Sequence, residues 1–208
     1  MKKLWKISML MSLLAIPVML YLFLQTFGSN EYDVPVYYPQ GVIDEYDCDF
    51  ADGPHFLNRS LLHLVNHDEI NPENVFVIYS FLEKDCEDTC QIKFNNLSRL
   101  HHTFIGENNI IVISILYGQG EMSVDNYIKQ DAHWKFINLE QPELVNFVNC
   151  GLVLPFESNS LHQFVLVDKE KRIRGYYDGW SLKETDRMAM EAKILLNNYK
   201  NAHEQDNS

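Results

Sequence analysis

The chain has 208 residues, of which 46% are hydrophobic and 22% charged, with only 9 glycines and 7 prolines. This composition excludes collagen-like and low-complexity chains, and the length suits one domain of about 150 residues with an appendage. Lysine and arginine number 17 against 29 aspartate and glutamate residues, which gives a net charge of -12. Because a nucleic-acid-binding protein needs a basic face for the phosphates, we expect no nucleic-acid partner.

The first thirty residues carry the pattern of a membrane anchor. Three lysines precede an apolar run over residues 7–27. A helix needs about 20 apolar residues to cross the hydrocarbon core, whereas a signal peptide has a shorter apolar region that ends in small residues. Residues 25–28 read Gln-Thr-Phe-Gly, which is a poor cleavage site. The sequence therefore predicts one transmembrane helix within residues 1–30, with a cleaved signal peptide as the alternative.

The charges around this run predict its orientation. After the run no lysine or arginine occurs until Arg59, and the interval holds seven acidic residues instead. The positive-inside bias predicts a single-pass protein with a cytoplasmic N-terminus and its soluble part outside the cytoplasm, in the periplasm of a bacterial host. Cysteine pairs can form disulfides in that compartment. We interpret residues 31–48 as an acidic linker, with a short hairpin near residues 41–50.

The soluble part alternates predicted strands and helices. Continuous β-rich runs predict buried strands, and apolar residues at helical spacing predict helices. The predicted strands are 75–81, 110–117, 134–139, 164–168 and 173–177, and the predicted helices are 87–104, 123–130, 142–150 and 182–200, the last capped by Ser181. A parallel β-α-β half followed by an antiparallel hairpin and a final helix predicts an α/β thioredoxin-like fold with a mixed central sheet. This domain would span residues 49–200, followed by a tail over 201–208.

Two cysteines stand where the first buried strand meets the first long helix. Cys86 and Cys90 are four residues apart, so regular helical spacing puts their Cβ atoms about 5–6 Å apart on one side. A disulfide needs about 3.5–4.5 Å, so the pair closes only if the first turn distorts, whereas a metal between the sulfurs suits the regular spacing. Four acidic residues within 83–88 attract cations to this loop. Both a metal site and an easily reduced disulfide stay open.

The combination resembles the Sco/SenC proteins, which are membrane-anchored, thioredoxin-like copper proteins linked to assembly of the copper centre of cytochrome oxidase. The similarity spans about residues 50–198. It depends on the anchor, on the F-x-x-x-x-C-x-x-x-C stretch over 81–90, and on His162 just before a predicted hairpin. Glu87 and Gln91 stand where the family usually has a proline after each motif cysteine, so the chain resembles a divergent member.

The resemblance implies a copper ion, Cu(I) or Cu(II), held by Cys86, Cys90 and His162, with Cys86 and Cys90 also forming a redox-active disulfide. It implies a metallochaperone rather than an enzyme, which delivers copper to a cytochrome oxidase subunit or prepares the cysteines of that subunit. Two thiolates and one imidazole are a soft ligand set that suits Cu(I). By the residues alone, His162 could be an ordinary histidine at a strand edge. The other histidines of interest are interpreted as surface or structural residues: His101, His102 and His133.

Two other functions stay open. One is a membrane-tethered thiol–disulfide oxidoreductase, and the other is an interaction module whose cysteines have lost their role. The remaining cysteines, Cys48 and Cys150, are interpreted first as unpaired thiols, with a mutual disulfide or transient exchange with the motif as alternatives. Three aromatic residues are predicted to be core or interface residues: Trp134, Phe136 and Trp180.

Overall fold

The computed structural model describes residues 2–27, 33–42, 48, 50, 52–57, 75–85, 88–120, 133–157 and 160–206. The chain divides into two compact units, Met1–Asp33 and Val34–Ser208. The first unit is formed by helix α1, Lys2–Phe27, with Pro17 inside it. Its described apolar side chains, such as Leu13, are exposed. In the part of the chain that the structure describes, no helix is long and apolar enough to cross a membrane, so the membrane anchor stays a prediction.

The second unit is built around a five-stranded mixed sheet. Its strands are β1 Phe76–Glu83, β2 Ile110–Tyr117, β3 Trp134–Asn138, β4 Gln163–Val167 and β5 Ile173–Asp178. Their spatial order is β3-β2-β1-β4-β5. Strands β1, β2 and β3 run parallel, and β4 is antiparallel to both β1 and β5. The predicted thioredoxin-like α/β fold with a mixed sheet is confirmed.

Strands β1 and β2 each have a neighbouring strand on both sides, and both are apolar along their length. Every residue of β1 except Glu83, and every residue of β2 except Tyr117, is buried. Since side chains alternate between the two faces of a strand, Tyr79 packs into the core on one face and Ile78 into the core on the other. A sheet that is buried on both faces has to be covered by helices on both.

Helices cover the two faces of the sheet. One face carries α2, Asp88–Phe104, and α4, Leu182–Asp206, while the other carries α3, Gln141–Asn146, and the π-helical turn Phe147–Gly151. The buried residues that α2 and α4 contribute to their shared core are Cys90, Phe94, Leu97, Leu100, Phe104, Met188, Ala192, Leu195 and Leu196. Their helical spacing is the pattern that predicted these two helices.

Helix α4 begins where it is predicted to begin but ends later. The hydroxyl oxygen of Ser181 accepts a hydrogen bond from the N–H of Glu184 at 3.3 Å, as a capping residue does. The helix continues to Asp206, into the segment predicted as a tail. Residues 201–206 contain neither glycine nor proline to end it.

The described residues between 34 and 57 are attached to the sheet. The N–H of Tyr37 donates to the carbonyl of Ile173 at 2.9 Å, and the N–H of Leu57 donates to the carbonyl of Lys171 at 2.9 Å. Val34 is buried in the core. Much of the segment interpreted as a linker therefore belongs to the compact unit.

Two predicted elements fall wholly or partly outside the described residues. The helix predicted over 123–130 lies entirely outside them. Of the hairpin predicted near 41–50, residues 43–47 and 49 lie outside, and the residues described there form no strand.

Candidate metal centre

The candidate site lies where β1 ends and β4 begins. In the antiparallel pairing of these strands, Tyr79 is opposite Val165. The same register continued by three residues places His162 opposite Leu82. Because the cysteine motif follows β1 directly, the first turn of α2 and His162 meet at one edge of the sheet. This edge holds the carboxyl ends of the parallel strands, where sheets of this kind bind ligands.

Cys90 lies in the first turn of α2 and is 7% exposed. It is disulfide-bonded. Its Sγ lies 3.9 Å from the carbonyl oxygen of Glu83, the last residue of β1, so the sulfur sits against the end of the strand. Cys86 lies outside the described residues, and the Cys86–Cys90 pairing therefore stays a prediction.

Lys93 ties the cysteine-bearing helix to the segment that carries His162. Its ammonium donates hydrogen bonds to the carbonyl oxygens of Phe81 and Leu161, the second at 3.0 Å. The residue is 6% exposed. Burial lowers the pKa of its ammonium to about 8, and the negative charge of Glu83 opposes this shift. One side chain thus contacts both the end of β1 and the residue just before His162.

His162 directs one ring nitrogen toward the interior. Its imidazole stacks on Trp180, and its Nε2 lies 3.7 Å from a carboxylate oxygen of Asp178. This distance is too long for a hydrogen bond but allows electrostatic attraction. The other nitrogen, Nδ1, is buried and has no hydrogen-bond partner among the residues that the structure describes. Since a buried polar atom costs free energy when it is unsatisfied, Nδ1 is the ring nitrogen that is left available for a ligand.

Gly179 allows the His162 segment to approach the loop after β5. The N–H of Gly179 donates to the carbonyl of His162 at 3.0 Å. A Cβ atom at position 179 would stand 2.4 Å from that same oxygen, so a larger residue forces the two segments apart. The side-chain amide of Asn96, on α2, donates to the carbonyl of Gly179 at 2.8 Å. Helix α2 is therefore anchored to this loop as well.

A cleft of about 810 Å³ opens beside the candidate site. Carboxylates of Glu83, Glu140 and Glu157 line it, together with Lys84. The apolar part of its wall consists of Leu139, Leu144, Phe156 and Leu161. Because Lys84 precedes the cysteine motif and Leu161 precedes His162, the cleft borders the candidate site.

The other histidines are placed differently. His101 is buried, with its ring centroid 5.5 Å from that of Trp134, and His102 is exposed beside it. Within the described ranges, no group of three or more histidine, cysteine, aspartate or glutamate side chains is placed to hold a metal ion. The predicted ligand set includes Cys86, which is not in those ranges.

Cys48 and Cys150 form a disulfide, so the interpretation of both as unpaired thiols is wrong. Their Cα atoms are 5.6 Å apart across a sequence separation of 102 residues. Cys150 lies in the π-helical turn, and the neighbouring Gly151 carbonyl is 2.8 Å from Nε2 of His55. The disulfide and this contact together fasten the segment before β1 to the helical face.

The fold is similar to that of solved Sco/SenC proteins. A SCO1/SenC family lipoprotein from Bacillus anthracis str. Ames is 13% identical, with a TM-score of 0.50 over 60% of this chain and 83% of its own. BsSco, a member of the Sco family of cytochrome c oxidase assembly proteins, is 18% identical, with a TM-score of 0.49 over 59% and 80%. Copper-bound ScoI from Arabidopsis thaliana is 17% identical, with a TM-score of 0.40 over 58% and 85%. The Sco/SenC resemblance of the sequence motifs extends to the fold of the Bacillus anthracis lipoprotein.

No protein-family model and no curated protein matches the sequence.

Sequence reasoning missed three residues around His162. Trp180, predicted as a core or interface aromatic, is 46% exposed and stacks on the imidazole. Asp178 reads as the end of a strand, and only the fold brings it to His162. Lys93 did carry a signal, because it stands on the apolar side of α2 with Cys90 and Phe94. A lysine in such a stripe has to find partners inside the protein.

Proposed function

We propose that the protein is a copper-binding metallochaperone of the Sco/SenC type, in which Cys86, Cys90 and His162 hold the copper. The observation that carries the proposal is the buried Nδ1 of His162, which lacks a hydrogen-bond partner among the described residues at the edge where α2 begins. The cysteine motif and the fold shared with a SCO1/SenC lipoprotein support it. The chain would be a divergent member of that family.

The chemistry of the ligand set supports copper. Two thiolates and one neutral imidazole suit Cu(I) and can also hold Cu(II). Cys90 is disulfide-bonded. Two thiolates therefore form only after a dithiol of another protein gives two electrons to this disulfide, and that dithiol becomes a disulfide in turn. The exposed carboxylates of Glu83 and Asp85 beside the motif favour the approach of a cation.

The proposed partner is a cytochrome oxidase subunit that accepts the copper or has its own cysteines reduced. The cleft beside the site is of a size that binds ligands, and its carboxylates suit a docked segment with basic side chains. We place the domain outside the cytoplasm, tethered by residues 7–27 with a cytoplasmic N-terminus. The Cys48–Cys150 disulfide fits an oxidising compartment.

The second candidate function is that of a membrane-tethered thiol–disulfide oxidoreductase. The disulfide-bonded state of Cys90 and the buried ammonium of Lys93 one turn further along α2 favour it. In the first proposal the protein is a carrier rather than an enzyme, and any thiol exchange is ancillary to copper binding.

Copper binding and thiol exchange measured on the same variants separate the two functions. His162→Ala removes the imidazole, and His102→Ala removes an exposed imidazole of α2 as a matched control. For a metallochaperone, the reduced wild type and the control bind roughly one equivalent of copper, and His162→Ala binds it more weakly, Cu(II) most of all. If the wild type reduces a model disulfide efficiently but holds less than about half an equivalent of copper, the oxidoreductase is the correct function.

A further inference from the structure

Lys93 is a buried cation on the apolar side of the cysteine-bearing helix. It stands three residues after Cys90 and is only 6% exposed. Its ammonium donates to two main-chain carbonyls, those of Phe81 and Leu161. Among the described residues no carboxylate forms an ion pair with it, although the charge of Glu83 acts on it from a distance.

A charge in this place is costly to the folded protein. Removing an ammonium from water costs several kcal/mol, and hydrogen bonds to neutral carbonyls recover only part of that cost. An apolar side chain of similar volume, such as methionine, would pack in the same place without the penalty. The two carbonyls that accept its hydrogen bonds belong to β1 and to the residue before His162, and both segments border the candidate site.

We propose that Lys93 is the positioning residue of the candidate site. One of its hydrogen bonds reaches the end of β1, where the cysteine motif follows, and the other reaches the residue before His162. Helical spacing places residue 93 beside Cys90 on the same side of α2. Lys93 thereby holds the cysteine-bearing helix and the His162 segment at a fixed separation.

Lys93 also stands one helical turn after Cys90 on the same side of α2. A cation near a sulfur favours the thiolate over the thiol, so it favours the reduced form of a disulfide whose product is a thiolate. The effect on copper affinity rests on the proposed function, whereas the effect on the disulfide does not. The two effects can therefore be tested independently.

Three variants of the full chain test the proposal. Lys93→Met removes the positive charge and the hydrogen-bond donors but keeps a similar volume. Lys93→Arg keeps the positive charge and the donors. Lys200→Met is the matched control, because Lys200 forms an exposed ion pair with Glu107. Three quantities are measured: the equilibrium of the motif cysteines with reduced and oxidised glutathione, the competition for Cu(I) against a chelator, and the thermal unfolding of the oxidised protein.

We expect Lys93→Met to lower the equilibrium constant for reduction about fivefold and the Cu(I) affinity about tenfold, as changes around a ligand do. Its unfolding temperature should stay close to that of the wild type, because loss of two hydrogen bonds is offset by loss of a buried charge. Lys93→Arg should keep most of the wild-type reduction equilibrium and Cu(I) affinity, and Lys200→Met should change neither.

Unchanged reduction and copper affinity in Lys93→Met, with a much lower unfolding temperature, would overturn the proposal, since Lys93 would then be a purely structural residue. If the wild type binds no copper but Lys93→Met still shifts the glutathione equilibrium, the copper function fails and the effect of Lys93 on the disulfide stands. If Lys93→Met does not fold, Lys93→Gln keeps a donor without the charge, and the same two outcomes apply to it.

Discussion

The imidazole of His162 lies parallel to the indole of Trp180, with 4.5 Å between the ring centroids and 10° between the planes. The carboxylate of Asp178 faces Nε2 at 3.7 Å. With the indole against its face and the carboxylate beside Nε2, the ring has its Nδ1 buried. The orientation of the proposed copper ligand is therefore set by the protein itself, through the last residue of β5 and a residue of the loop that follows it.

Removal of the indole should loosen this orientation. An aromatic stack contributes about 0.5–1.5 kcal/mol, so Trp180→Ala should weaken copper binding roughly 2- to 10-fold. Trp180→Phe retains a ring and should lose less. Competition against a chelator measures both variants, and equal affinities for Trp180→Ala and the wild type would show that the stack does not orient His162.

The disulfide between Cys48 and Cys150 should contribute strongly to stability. A cross-link that closes a loop of about 100 residues is worth about 4–5 kcal/mol in the chain-entropy account. In denaturant unfolding, the double variant Cys48→Ala/Cys150→Ala should lose much of this contribution to the free energy of unfolding. Its copper stoichiometry should stay that of the wild type. Cys86→Ala/Cys90→Ala is the control, because the predicted pair would close a short loop and contribute less. Comparable losses for the two double variants would contradict this reasoning.

The buried ammonium of Lys93 should make stability depend on pH. Burial lowers its pKa from 10.5 to about 8, so below pH 8 the folded state carries the full cost of the charge. Between about pH 8 and 10.5 the folded state has lost the proton while the unfolded state keeps it, and stability therefore rises with pH.

The free energy of unfolding of the wild type should rise relative to that of Lys93→Met across this window, by at most roughly 3 kcal/mol. Denaturant unfolding at several pH values between 7.5 and 10 measures the difference. A difference that stays constant over the window would show that Lys93 is not titrating within the folded protein.

The carboxylates of the cleft should select basic partners. A labelled peptide of alternating lysine and leucine should bind to the protein more tightly than its glutamate–leucine counterpart. Added salt should weaken the binding of the lysine peptide. Glu140→Lys/Glu157→Lys should abolish this preference. Glu107→Lys/Asp186→Lys changes the net charge equally at two exposed ion pairs and is the control. Equal effects of the two double variants on fluorescence anisotropy would mean that only the overall charge matters, not the cleft.

The elements that the sequence predicted well are those with a local cause. Strand β2 has the predicted bounds and β1 nearly so, because each is an uninterrupted apolar run. His162 was singled out by the family resemblance rather than by a local pattern, and the pairing of β4 with β1 places it at the edge where α2 begins. Helix α4 was predicted too short, because the prediction stopped at the last periodic apolar position while no glycine or proline ends the helix before Asp206.

The elements that it did not predict depend on contacts between distant parts of the chain. Cys48 and Cys150 meet across a separation of 102 residues, and nothing near either cysteine indicates its partner. Trp180 reads as any aromatic residue after a strand, and its stack on His162 exists only because Gly179 lets the two segments approach. The partners of Lys93 are carbonyl groups, which a sequence pattern does not distinguish.

In the proposed function, Cys86, Cys90 and His162 form one copper ligand set. X-ray absorption spectroscopy of the reduced full chain loaded with Cu(I) tests it most directly, because the spectrum separates sulfur from nitrogen neighbours. We predict two sulfur ligands and one imidazole nitrogen for the wild type and for His102→Ala, and loss of the nitrogen alone in His162→Ala. An unchanged nitrogen contribution in His162→Ala, or a wild-type spectrum without sulfur ligands, would contradict the account.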